Sequence, residues 1–119
     1  MFTGIIQEKG KVVNFSKGIL EISTNLDLSD CKIGSSICCN GVCLTATEIH
    51  FINNLYQFKT NVGEETMLRT TFSENLFNKI KPINLEKSLK IGDEISGHFV
   101  YGHVDRTTKL LKISKLNNS

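Results

Sequence analysis

Hydrophobic and polar residues alternate with period two along much of this chain, in short runs broken by glycine and asparagine. Such alternation marks strands with one buried face, because successive side chains leave a pleated backbone on opposite sides. The clearest run is SICCNGVCLTAT at 36–47. Asn40-Gly41 between two apolar runs predicts a two-residue hairpin, since both central positions of a type I′ turn need positive φ. That turn sets Cys39 opposite Val42, Cys38 opposite Cys43, Ile37 opposite Leu44 and Ser36 opposite Thr45. Ile37, Cys39, Val42, Leu44 and Ala46 then share one face, while Ser36, Cys38, Cys43, Thr45 and Thr47 share the other. The first face is core. The second, of thiols and hydroxyls, is either the wall of a site or an ordinary half-exposed sheet face.

The same reading extends in both directions. The apolar start MFTGII leads through Lys11-Val12-Val13 to the alternating GILEIS at 18–23, giving two strands about a turn near Ser16-Lys17-Gly18. Residues 25–32 are polar, anchored by Leu26 and Leu28, and read as a loop or a short turn of helix. Ile33-Gly34-Ser35 opens the hairpin, whose return strand runs to about Ile49. Asn53-Asn54 is the next turn, and residues 55–60 alternate again as a strand. Residues 61–70, NVGEETMLRT, have no clear period and read as a loop. Ser73 is placed to cap a short helix carrying Leu76, Phe77 and Ile80, which ends before Pro82. Ile83-Asn84-Leu85-Glu86 returns to a strand, followed by a glycine turn at Gly92. Many short strands with a single short helix predict an all-β fold, a small antiparallel barrel ahead of a sandwich.

A chain of 119 residues makes one domain, or one domain plus a fragment of another, and buries roughly two-thirds of its unfolded surface without needing disulfides or metal. A formal charge of +2, from 14 basic and 12 acidic residues, is too balanced for a nucleic-acid or membrane-surface footprint and favours small-molecule or protein partners. Neither a membrane span nor a signal peptide is visible, which makes the cytoplasm the expected compartment. Cys31, Cys38, Cys39 and Cys43 contain no C-x-x-C and meet no histidine at finger-like spacing, so no zinc site is expected. A disulfide between Cys38 and Cys43 is sterically conceivable, but a reducing cytosol opposes it.

The chain also begins to repeat itself. Shifted by 98 residues, Gly4 meets Gly102, Lys11 meets Lys109, Ser16 meets Ser114 and Lys17 meets Lys115. Apolar positions keep the same register, Ile6 with Val104, Val12 with Leu110, Val13 with Leu111 and Phe15 with Ile113. Residues 109–115 are therefore expected to form a strand with Leu111 and Ile113 on one face. Without the rest of a second copy, that strand is expected to be disordered, exchanged with another chain or added to a sheet edge.

Taken together, MFTGII at the start, NGVCLTAT at 40–47, EETMLRTT at 64–71, INLEKSL at 83–89 and SGHFVYGHVD at 96–105 resemble the riboflavin synthase alpha-chain family. The resemblance covers nearly the whole chain in the expected order. It implies two similar six-stranded barrels in tandem, with residues 1–97 as the first lumazine-binding barrel and 98–119 as the beginning of the second. It also implies homo-oligomers, trimers where both barrels are present, and an active site between the first barrel of one subunit and the second barrel of a neighbour. The implied reaction converts two molecules of 6,7-dimethyl-8-ribityllumazine into riboflavin and a ribitylaminopyrimidine, with no metal or organic cofactor. It moves a four-carbon unit, and needs a base for the C7 methyl proton, a nucleophile at a ring carbon and a rigid stack of both rings.

By the same resemblance Phe2, Ser36, Cys43, His98 and His103 are catalytic positions. The substrate-binding positions it implies are Gly4, Ile5, Ile6, Cys43, Leu44, Thr45, Glu65, Thr66, Gly102, His103 and Val104. Each has a structural alternative. Cys43 is otherwise a small buried residue, Phe2 core packing, Ser36 a turn residue, Glu65 a solvated loop charge, and the histidines solvated or core residues. Two departures stand out: Ser96 replaces the first of the family's two glycines before the histidine, and the segment before Glu65 is longer than usual. Three functions follow for a chain of this length. It is a truncated synthase whose barrels pair as homodimers, a non-catalytic lumazine or flavin binder of antenna type, or a structural domain that lost its ligand.

Overall fold

Six strands form in chain order: β1 (Glu8–Ser16), β2 (Ile19–Thr24), β3 (Ser36–Cys39), β4 (Val42–Ile52), β5 (Leu55–Asn61) and β6 (Pro82–Lys87). Two helices, α1 (Glu64–Arg69) and α2 (Glu74–Lys79), connect the last two strands. The computed structural model describes residues 1–116. The strands close into an antiparallel barrel in the order β1-β2-β5-β4-β3-β6, with β6 pairing back onto β1. Closure satisfies the strand edges that an open sheet would expose. Among the described residues no helix is long and apolar enough to cross a membrane.

The hairpin has the expected register, residue for residue. Its turn residues Asn40 and Gly41 have φ of 48° and 85°, as a type I′ turn requires. Asn40 has a second task. Its backbone N–H donates to the Asn84 carbonyl at 2.8 Å and its side-chain Oδ1 accepts from the Asn84 N–H at 2.7 Å, which fastens the turn to β6.

The inward positions of the strands fill the barrel. Val12, Leu20, Ile22, Ile37, Cys39, Leu44, Ala46, Phe58, Ile83 and Leu85 are all buried in one cluster. Phe77 of α2 is packed edge-on against Phe15 and Phe72, with ring centroids 5.4 and 5.0 Å apart, and Leu28 anchors the 25–32 loop to the same core. Helix α2 starts where the sequence places it, with the Ser73 Oγ accepting from the Leu76 N–H at 3.1 Å. Ser73→Ala is expected to cost about 1 kcal/mol of stability in urea titration, because the cap helps hold Phe77 in place.

Two expectations are corrected. Residues 61–70 are not a loop throughout, since Glu64–Arg69 forms α1. Six residues are too few to establish a 3.6-residue period, and none of the helix is buried, so hydrophobicity carries no trace of it. Residues 109–115 form no strand, and Leu111 and Ile113 are exposed. Alternation is present there, but among the described residues no neighbouring strand offers a ladder. The return strand also runs past Ile49 to Ile52, ending where Phe51 packs against Tyr56.

β4 changes partner partway along its length. It pairs with β3 through residues 42–45 and with β5 only from Ala46 onward, with a register shift between Ala46 and Glu48. The β4 edge at Cys43 is thereby left free for another segment.

Candidate functional site

Two segments far apart in sequence fold over the outer face of β3, β4 and β6. Phe2 and Val100 form an antiparallel bridge, with N–H···O distances of 2.7 and 3.0 Å. These residues lie 98 positions apart, the offset at which the sequence resembles itself. The His98 N–H donates to the Thr3 carbonyl at 3.2 Å. Gly97 sits against that same carbonyl, where a Cβ would clash, whereas Ser96 is exposed. Gly97 is thus the glycine that geometry requires, and Ser96 is tolerated. Further along, the Gly102 carbonyl accepts from the Cys43 N–H at 2.9 Å and occupies the free edge of β4.

This docking forms a pocket of about 320 Å³. Cys43, Glu65, Thr66, Gly102, His103 and Val104 line it, from β4, α1 and the docked segment. Arg69 joins the walls: its Nε donates to Glu65 Oε1 at 3.0 Å and its Nη1 to the Asp105 carbonyl at 3.0 Å. A thiol, an imidazole, a carboxylate and backbone amides therefore surround one small volume.

Residues 3–88 match the family described as the lumazine binding domain. The chain belongs to the lumazine-binding domain family. It is 38% identical over 123 residues to the riboflavin synthase of Actinobacillus pleuropneumoniae, covering all of this chain and 54% of that protein. It is 40% identical over 117 residues to the riboflavin synthase of Brucella abortus, covering 94% of this chain and 57% of that protein. The riboflavin synthase of Bacillus subtilis is 37% identical over 123 residues, with 54% of its length covered. The chain thus spans about half the length of the curated relatives it matches.

The remaining residues expected at the site lie outside this pocket. Phe2 is fully buried. The Leu44 side chain is in the barrel core, and Thr45 is exposed on the outer face. Ser36 lies further along β3, opposite Thr45, in a pocket of about 250 Å³ with Cys31 and Lys87. Ile5 lines a cleft of about 450 Å³ with Thr3 and Glu86, while Gly4, Ile6 and His98 are exposed. That cleft is larger, but its lysines are already paired: Lys87 lies 3.0 Å from Asp30, and Lys90 bonds the same carboxylate. Those two lysines hold the Asp30 carboxyl well below the usual carboxylate range.

Sequence reasoning missed the group that fastens the lumazine-binding domain's first residues. Glu86 on β6 is 3% exposed, and its carboxylate accepts from the Thr3 N–H at 2.6 Å, the Thr3 hydroxyl at 2.9 Å and the Gly4 N–H at 3.1 Å. It is the register partner of Cys38. Burial, followed by the nearby Glu86 charge, pushes the Cys38 thiol up to about 11. Arg69 was missed as well, although its i, i+4 spacing from Glu65 was a usable signal.

Proposed function

We propose that this chain is the lumazine-binding barrel of a riboflavin synthase, and that the pocket beside Cys43 holds one molecule of 6,7-dimethyl-8-ribityllumazine. One observation carries the reading: residues near 43, 65 and 103, from three separate stretches of sequence, meet around one volume of about 320 Å³. Ligand pockets begin at about 300 Å³, so the space suits a single bicyclic ring with part of its ribityl chain. On this reading backbone groups of these segments other than the Cys43 N–H and the Gly102 carbonyl, which bond each other, pair with the ring edge, and Glu65 or Thr66 meets ribityl hydroxyls. Cys43 serves as nucleophile or hydrogen-bond partner at the ring. His103 serves as the proton carrier, the role to which imidazole is suited near neutral pH.

The reaction needs two such molecules stacked, one giving the four-carbon unit and the other receiving it. A pocket of this size accounts for one of them, so the second is supplied from another barrel: a second copy of this domain or the repeat begun at residue 98. Residues 1–97 are on this reading the first lumazine-binding barrel, and the catalytic assembly is a homo-oligomer. On this reading Ser36 and His98 act across that contact and not within the pocket described above, while Phe2 is fully buried in the interior.

Mixing the purified chain with 6,7-dimethyl-8-ribityllumazine separates the cases. Saturable fluorescence change together with riboflavin formation, both lost in Cys43→Ser and His103→Ala, is the expected result for paired barrels. Binding without product assigns the lone barrel a binding role, consistent with Cys43 and His103 being the only members of the expected catalytic set that share the pocket. Absence of both binding and product overturns the ligand-site assignment.

A further inference from the structure

The pocket thiol has a partner that the proposed chemistry does not use. Cys38 and Cys43 are register partners across β3 and β4. The two-residue turn makes Cys39 and Val42 the hydrogen-bonded pair beside it, which leaves Cys38 and Cys43 as a non-hydrogen-bonded pair. The Cys43 N–H confirms this alternation, because it points away from β3 and donates to the Gly102 carbonyl at 2.9 Å. Opposed Cα atoms at such positions lie about 4.5 Å apart, inside the range of about 4.4–6.8 Å that a disulfide spans. Both side chains leave the barrel on its outer face, since each neighbours an inward residue, Cys39 or Leu44. Cys39 is fully buried on the opposite face, and Cys31 lies in the loop before β3. All four thiols are free in this structure.

We infer that Cys38 and Cys43 form a redox pair, closed to a cross-strand disulfide by a small-molecule disulfide such as oxidised glutathione. The two thiols differ in access. Cys43 lines the pocket, while Cys38 is 4% exposed. The Cys43 thiolate attacks the oxidant first, forming a mixed disulfide and releasing one glutathione thiol. Cys38 then loses its proton and attacks Cys43 Sγ, releasing the second. Two protein thiols give up two protons and two electrons, and the oxidant leaves as two thiols. High pKa keeps Cys38 from reacting on its own: the thiol held at about 11 by burial and by Glu86 requires the adjacent mixed disulfide to capture its thiolate. Closure ties Cys43 Sγ to β3 and removes the thiol from the pocket. That consequence rests on the proposed ligand site; the bond itself does not.

The test treats the full chain with excess oxidised glutathione, blocks remaining thiols by alkylation and measures intact mass. No Lys or Arg lies between Lys32 and Lys59, so Cys38, Cys39 and Cys43 share a tryptic peptide, and partners are assigned by substitution. The wild-type chain and Cys31→Ala are each expected to lose two hydrogen atoms, and their alkylatable thiols to fall from four to two and from three to one respectively. Cys38→Ala is expected to stop at a stable glutathione adduct on Cys43. A wild-type chain that keeps the adduct, or stays unreacted while its denatured form reacts, overturns the inference. So does a Cys38→Ala chain that still loses two hydrogens. Should the bond form while neither form takes up the lumazine, the redox pair stands and the ligand reading fails.

Discussion

Glu86→Ala is expected to release the first residues of the chain from the barrel and to lower its stability by about 3 kcal/mol. The side chain accepts from the Thr3 N–H, the Thr3 hydroxyl and the Gly4 N–H, and both Thr3 and Glu86 are buried. Hydrogen bonds to a charged group contribute roughly 1.5–3 kcal/mol each, and an orphaned buried donor costs about 1–3 kcal/mol. Exposed Gly4 can turn to water, but Thr3 cannot without breaking its cover. By comparison, the Arg69–Glu65 pair has both side chains half exposed or more and contributes only a few tenths of a kcal/mol. Glu86→Gln separates charge from cover. Its amide oxygen can keep both Thr3 bonds and loses only the one to Gly4, at a cost of about 1 kcal/mol. In that variant the Cys38 thiol is expected to come partway down, because the carboxylate charge is gone while burial persists. Urea denaturation measures the first effect and thiolate absorbance against pH the second. An Ala variant as stable as wild type would show that the segment is not held by this carboxylate.

The difference between what the sequence reveals and what it conceals follows the range of the interactions. The hairpin register was legible because Asn40-Gly41 and a period of two are local signals, and a slip of one residue would turn Leu44 and Ile37 out of the core. The Ser73 cap was legible for the same reason. Glu86 was not, since on β6 it reads as an outward polar residue between Leu85 and Lys87. Its burial comes from Thr3, 83 residues away in sequence. Phe2 is fully buried with its backbone bridged to Val100, and no local signal in the sequence announces that burial. The histidines show the limit of motif reading. His98 and His103 stand close in sequence, but the chain turns at Gly102, with φ of 74°, and only His103 reaches the pocket. Residues 109–115 carry a strand pattern, but among the described residues no partner makes it a strand.

Gly102 is where the second large effect is expected. Its φ of 74° lies in the left-handed region, which costs an L residue about 1–2 kcal/mol. A Cβ there would lie 2.8 Å from the Cys43 nitrogen and 2.9 Å from Cys43 Cβ, closer than side chains pack. The obstacle is mostly backbone and so cannot swing aside as the end of a long side chain would. Gly102→Ala should therefore push the docked segment off the β4 edge, break the bond between Cys43 N–H and Gly102 O, and open the pocket. Because only Val104 of this segment packs against the barrel core, and only partly buried, the urea midpoint should move little, whereas amide exchange at Cys43 should accelerate and lumazine binding should weaken by about tenfold or more, the factor that 1.4 kcal/mol brings. Gly92→Ala is the control, with φ of 98° but no atom within 4 Å of the added Cβ. It carries comparable backbone strain and no clash with Cys43, so binding should be retained. If Gly102→Ala binds the lumazine as the wild-type chain does, contact between the docked segment and β4 is not what shapes the site, and Cys43 must meet its ligand from another side.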